Sequence, residues 1–113
     1  MCGSENKLLS TLGLFARARK LVIGTPMVCE ALRKGASGSS AVVAVIEACD
    51  TSDNTHEKIV SKCRFYGIKH YRIEFSAEEL ARSIGKTGAV ATVGITDADM
   101  YKALSKYLPE IQG

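Results

Sequence analysis

The chain has 113 residues, of which 46% are hydrophobic and 24% charged, with four cysteines, no tryptophan and a formal net charge of +3. That length fits one domain, residues 1–113, and is enough to bury a core without disulfide or metal staples. The longest apolar run, Ala41 to Ile46, is far shorter than the ~20 residues a membrane helix needs, so no membrane association is expected.

Charge is unevenly placed. Residues 1–36 hold six Lys/Arg (Lys7, Arg17, Arg19, Lys20, Arg33, Lys34) against Glu5 and Glu30, whereas the remainder holds nine against ten acids. A basic N-terminal third permits an anionic partner, although a solvated helix face gives the same pattern. Cys2, Cys29, Cys49 and Cys63 lie far apart and form no CxxC pair, so buried free thiols are expected. Cys49–His56 and Cys63–His70 share one spacing, but it is not a common metal-ligand spacing. No metal or cofactor is expected. Free thiols without a signal peptide point to the cytoplasm.

The first predicted element is a helix over residues 5–19, with Leu8, Leu9, Leu12, Phe15 and Ala16 at helical spacing and Gly13 weakening it slightly. Leu21–Ile23 reads as a short buried strand closed by Gly24. Thr25 then caps a second helix, Pro26 fills its first position, and Val28, Ala31 and Leu32 face inward. Residues 35–40, "GASGSS", form a turn. "AVVAVIEA", Ala41 to Ala48, is a central strand covered on both faces. "DTSDNT" hands over to a third helix carrying Ile59, Val60 and Cys63, which Gly67 ends. "HYRIEF", His70 to Phe75, alternates like an edge strand. Ser76 and Glu79 form a capping box for a fourth helix ending at Gly85. Ala89 to Ile95 is a buried strand, and Asp97 opens a last helix with Met100, Ala103, Leu104, Tyr107 and Leu108 as its stripe. The alternation predicts an α/β protein, a three-layer α/β/α sandwich around a mixed, roughly four-stranded sheet.

Catalytic motifs are mostly excluded. "SIGKTG", residues 83–88, resembles the end of a P-loop, but Leu80 stands where the first glycine belongs and the element order is helix then strand. Neither GxGxxG nor GxSxG is present. His56 and His70, the only histidines, are not placed near a nucleophile and read as structural or solvated. Glu78–Glu79 and Asp97/Asp99 sit at helix starts, where the dipole favours acids. No enzyme is expected.

Three stretches carry a resemblance: "ARARKLVIGTPMVCEALRKG", "AVVAVIEACDTSDNTHEKIVSKCRFYGI" and "ELARSIGKTGAVATVGITD". They resemble the kink-turn RNA-binding ribosomal protein superfamily of the L-seven-Ae type, in its bacterial YlxQ-like branch, from about Leu12 to Tyr107. The resemblance implies the same sandwich and the binding of a sharply bent RNA built on sheared G·A pairs. The start of the second helix would enter its widened groove. A helix N-terminus offers free N–H groups to phosphates, and distorted RNA lets first-turn side chains reach base edges.

The family's reading motif is Gly-Thr-Asn-Glu-x-Thr-Lys. Gly24 and Thr25 match it. Pro26 stands for Asn, Met27 for Glu, Cys29 for Thr and Glu30 for Lys, so the polar base-reading groups differ, and Lys34 restores a cation one turn later. The resemblance also implies contacts from the turn that begins at Glu47 and from Lys86 and Thr87 in the loop Ile84 to Ala89, with Lys20 adding a phosphate contact. The expected function is non-catalytic, ribosomal-type recognition of structured RNA, ribosomal RNA among the candidates, in association with ribosomal or translation proteins. The rival reading is a protein-interaction module that has lost RNA contact, with exposed Pro26 and Met27 as its apolar surface.

Overall fold

The computed structural model describes residues 3–34 and 42–105. Helices and strands alternate as α1 (Gly3–Arg17), β1 (Leu21–Ile23), α2 (Thr25–Lys34), β2 (Ala44–Glu47), α3 (Asp53–Tyr66), β3 (Lys69–Arg72), α4 (Ala77–Ser83), β4 (Thr92–Ile95) and α5 (Ala98–Ser105). The order is the one expected from the sequence. The expected turn at 35–40, the first residue of the second strand, and Tyr107 and Leu108 lie outside the described residues.

The four strands form one mixed sheet in the order β1-β4-β2-β3. β2 runs parallel to β3 and antiparallel to β4, and β4 runs antiparallel to β1. β1, β2 and β3 therefore point the same way, and β4 alone points back. On one face, Leu8, Leu12, Leu80, Ala81 and Leu104 of α1, α4 and α5 pack against sheet residues that include Ile46 and Val93. On the other, Val28, Leu32, Ile59 and Cys63 of α2 and α3 pack against Val42 and Val45. This is the α/β/α sandwich. β2 is central and buried along its whole length, as its apolar run implies, and β3 is one edge, while β1, expected to be buried, is the other edge and only half-buried.

The strands are shorter than the apolar runs that announce them, because the flanking backbone makes loop contacts instead. Past β3, the Ile73 N–H still donates to the Glu47 carbonyl, but Phe75 O then accepts from Cys49 N–H as the chain turns into α4. Before β4, Val90 N–H donates to Ala77 O and Ala91 O accepts from Ala48 N–H. The caps follow the sequence more closely. Ser52 accepts from Thr55 N–H at the start of α3, and Gly67 closes that helix in the left-handed region at φ 69°. Ser76 and Glu79 make the reciprocal capping box of α4, and Asp97 accepts from Met100 N–H at the start of α5.

The second helix begins differently from expectation. Gly24, at φ 97°, is the residue whose carbonyl accepts the first helical bond, from Val28 N–H. Thr25 is already helical, and its hydroxyl pairs with that of Thr92 at 3.1 Å, joining the start of α2 to the start of β4. The thiols also differ from the expected uniform burial. Cys63 is buried, Cys29 is intermediate and Cys49 is exposed. Burial, with smaller contributions from Cys29 and Glu47, pushes the Cys63 thiol up to about 12.

Gly13 has a packing role that its helix propensity hides. A Cβ there would lie 2.6 Å from the Ser83 carbonyl oxygen, so α1 approaches the end of α4 through this one missing side chain. Gly13→Ala gains roughly 1 kcal/mol of helix propensity but forces the two helices apart at a cost of about 1–3 kcal/mol. Thermal denaturation is expected to show an unchanged or lowered Tm, where an uncrowded helical glycine would show a rise. At pH 8, Cys49 is expected to react promptly with a thiol reagent, whereas Cys63 stays protected until the chain unfolds, as mass spectrometry of timed quenches would read.

Candidate nucleic-acid interface

Strand direction decides what meets at each end of the sheet. Because β1, β2 and β3 are co-directional, their C-terminal ends gather with the start of β4 at one end. The starts of α2, α3 and α4 follow those strand ends directly. The turn at 84–91, which feeds β4, reaches the same end. Three helix N-termini thus face one way, each with backbone N–H groups that lack helical partners and a partial positive charge.

Several expected contact residues collect here. Gly24 and Thr25 form the β1–α2 junction, held to the sheet by the Gly24 N–H bond to Thr92 O and by the Thr25–Thr92 hydroxyl pair. Pro26 and Met27 project from the first turn, with Met27 58% exposed. Lys86 and Thr87 are exposed, and with Glu78, Arg82 and Gly88 they line an open groove along α4, Lys86 N–H donating to Ala81 O near the end of that helix. Arg82 reaches Glu78 at 3.6 Å, both side chains being about three-quarters exposed (75% and 76%).

Other expected contacts stand elsewhere. Lys20 precedes β1 and belongs to the opposite end of the sheet: its carbonyl accepts from the backbone and hydroxyl of Thr96, and its ammonium lies 3.9 Å from Asp97. Arg17 and Arg19 flank the same end, since α1 finishes where β1 begins. Lys34 is the last residue of α2, about 13 Å along the helix from Thr25. The basic N-terminal third is therefore not one surface at the start of α2. Glu30 lies between these extremes, and Arg33 meets its carboxylate with three hydrogen bonds of 2.7–3.0 Å. Arg33, three residues on, is the cation that accompanies Glu30, a pairing readable from the i,i+3 spacing.

Glu47 departs furthest from expectation. Its side chain is fully buried, so it cannot be a surface contact. Side-chain alternation sends Val45 and Glu47 to the face covered by α2 and α3, and His70 and Arg72 share that face on neighbouring β3, where Arg72 is the register partner of Glu47. The first turns of α3 bring His56 over them. His70 Nε2–H donates to Oε1 at 2.6 Å, and His56 Nδ1–H is shared between Oε1 and Oε2 at 2.9 Å. Arg72 sits beside Oε2 at 3.9 Å while its Nη2 donates to Cys49 O. Burial pushes the Glu47 carboxyl up, but the hydrogen bonds from His70 and His56 outweigh it and hold the group below its ordinary value. The two histidines that the sequence leaves unconnected thus converge on one carboxylate. The available signals were the single charge in an otherwise apolar strand and its period-2 relation to Val45; the adjacency of β2 and β3 was not visible.

The trio ties α3 to β2 and β3 beneath the candidate interface. Removing the carboxylate leaves the buried His70 donor unpaired, and a buried donor left unsatisfied costs about 1–3 kcal/mol. Glu47→Ala is expected to lower stability in urea denaturation by about that amount, well beyond the effect of truncating an exposed glutamate such as Glu78.

The sequence pattern of the ribosomal protein L7Ae/L30e/S12e/Gadd45 family matches residues 6–105. The chain is 38% identical over 86 residues to the RNA-binding protein YlxQ of Bacillus subtilis (strain 168), covering 76% of this chain and 79% of that one. It is 30% identical over 95 residues to the RNA-binding protein YlxQ of Enterococcus faecium, covering 84% of each. Among solved structures, a Bacillus halodurans protein of unknown function superposes with a TM-score of 0.78 at 34% identity, over 89% of this chain and 95% of that one. The Giardia lamblia 15.5kD RNA binding protein shares the fold, with a TM-score of 0.72 at 15% identity over 95% of this chain and 86% of that one. The chain belongs to the ribosomal protein L7Ae/L30e/S12e/Gadd45 family.

Proposed function

We propose that this protein is a non-catalytic RNA-binding protein that recognises structured, kink-turn-like RNA, in the cytoplasm and in association with the ribosome or translation machinery. The observation that carries this reading is the gathering of three helix N-termini at one end of the sheet, where the exposed turn at 85–89 leads into β4, in a chain whose curated relatives are described as RNA-binding proteins. Phosphates would meet the backbone N–H groups of Thr25 and Met27 and the side chains of Lys86 and Thr87.

Base contacts would differ from the family's amide-and-carboxylate pattern. Pro26 offers no N–H and Met27 no hydrogen-bonding group, so this first turn presents an apolar wedge. Such a surface stacks against an unpaired base or sugar rather than reading a base edge. Glu30, engaged by Arg33, would sit beside the RNA as a neutral pair rather than as a bare anion. The exposure of Pro26 and Met27 also favours a second reading, a protein partner docked on the start of α2.

Gel shifts with a kink-turn RNA and with ribosomal RNA fragments test the proposal. Binding is expected to weaken steeply with salt. Lys86→Ala should reduce the slope of log affinity against log salt by about 1, the signature of one lost phosphate contact. Lys20→Ala should leave it unchanged, because Lys20 lies at the other end of the sheet. No binding to any structured RNA at low salt would overturn the reading and favour the protein partner.

A further inference from the structure

Glu47, His56 and His70 come from three different elements, yet each places a ligand-type atom within 4.8 Å of the others. We propose that they form a binding site for a zinc-class divalent transition metal, with Glu47 Oε1, His56 Nδ1 and His70 Nε2 as the protein ligands. Two imidazoles and one carboxylate are a donor set suited to zinc and to cobalt or nickel in its place, and three protein ligands leave a fourth position for water.

Three observations support the site. First, the geometry is close to what the ion needs. Ligands about 2.0–2.2 Å from a tetrahedral ion stand roughly 3.3 Å from one another. The present separations from Oε1 are 2.6 Å to His70 and 2.9 Å to His56, short of that spacing by about 0.4–0.7 Å, and all three donor atoms lie within 4.8 Å of one another. Second, the ligands are anchored. Glu47 and His70 are fixed by the sheet ladder, and His56 by the capped start of α3. Third, there is an entry. Glu47 and His70 are buried, but the His56 side chain is 33% exposed, which gives the group a route to solvent. Arg72 lies against Oε2 and leaves Oε1 as the oxygen that both rings share.

The site stands apart from the RNA reading, since none of its three ligands is needed for the proposed phosphate contacts. Its ion would lock the first turns of α3 onto β2 and β3.

The test uses the full chain, free of any affinity tag, with zinc in calorimetry and cobalt in absorption spectroscopy. One equivalent of zinc is expected to bind, with at least about tenfold weaker binding in His56→Ala, the scale of loss seen when groups supporting a metal site are removed. Cys49→Ser should bind as the unaltered chain does, and the cobalt spectrum should lack a thiolate charge-transfer band. Independently of any variant, the ring nitrogens of His56 (Nδ1) and His70 (Nε2) should shift together in nitrogen NMR on addition of one equivalent of zinc. Absence of saturable one-to-one binding, a thiolate band lost in Cys49→Ser, or unmoved ring nitrogens at saturation would each overturn the proposal.

Discussion

Strand direction is the constraint on which the rest of the structure depends. With β1, β2 and β3 running one way and β4 returning between β1 and β2, each of the helices α2, α3 and α4 must start at the same end of the sheet. That single fact gathers three helix starts at one end of the sheet, together with the start of β4. It also separates residues that are near in sequence. Lys20 and Gly24 are four positions apart, but an extended strand carries the chain about 13 Å between them, from one end of the sheet to the other. Charge counted along the chain therefore misplaces the basic groups, which follow the ends of α1 and α2 rather than the start of α2.

The second organising interaction is the burial of a charged carboxylate at the end of the central strand. An ionised group out of water is costly unless it is paired and hydrogen-bonded. Here the pairing draws on β3 through His70 and Arg72 and on α3 through His56. The three elements are thereby fixed to one another directly below the surface that α2, α3 and α4 present. A rigid base under a set of helix N-termini suits recognition of a shaped, anionic partner, because little ordering remains to be done on binding.

Much of this was legible in the sequence. Apolar periodicity and turn chemistry gave all nine elements in order, the central position of β2 and the edge position of β3. Short-range chemistry gave the capping box at Ser76–Glu79 and the stop at Gly67, because these depend on residues three or four apart. What was not legible depends on contacts across the sheet. Thr25 reads as a cap until Thr92 is placed beside it. Glu47 reads as a loop contact until alternation and the β2–β3 pairing turn it inward. His56 and His70 read as unrelated because nothing local says that their elements are neighbours. Gly13 reads as a weak helix residue until Ser83 is seen against it. The resemblance points to Gly24–Met27 and Lys86–Thr87 as the candidate interface, and the departures in "PMVCE" stand in the structure as an exposed apolar first turn.

The central claim is that RNA meets the end of the sheet where α2, α3 and α4 begin. Amide chemical-shift mapping with a structured RNA tests it most directly, because it reports each backbone N–H separately. The largest shifts are expected at Gly24 to Val28, excluding Pro26, and at Gly85 to Ala89, with Arg17 to Lys20 and Arg64 to Gly67 unmoved. Shifts concentrated at Arg17 to Lys20 and around Phe65, which is 81% exposed at the opposite end, would contradict it.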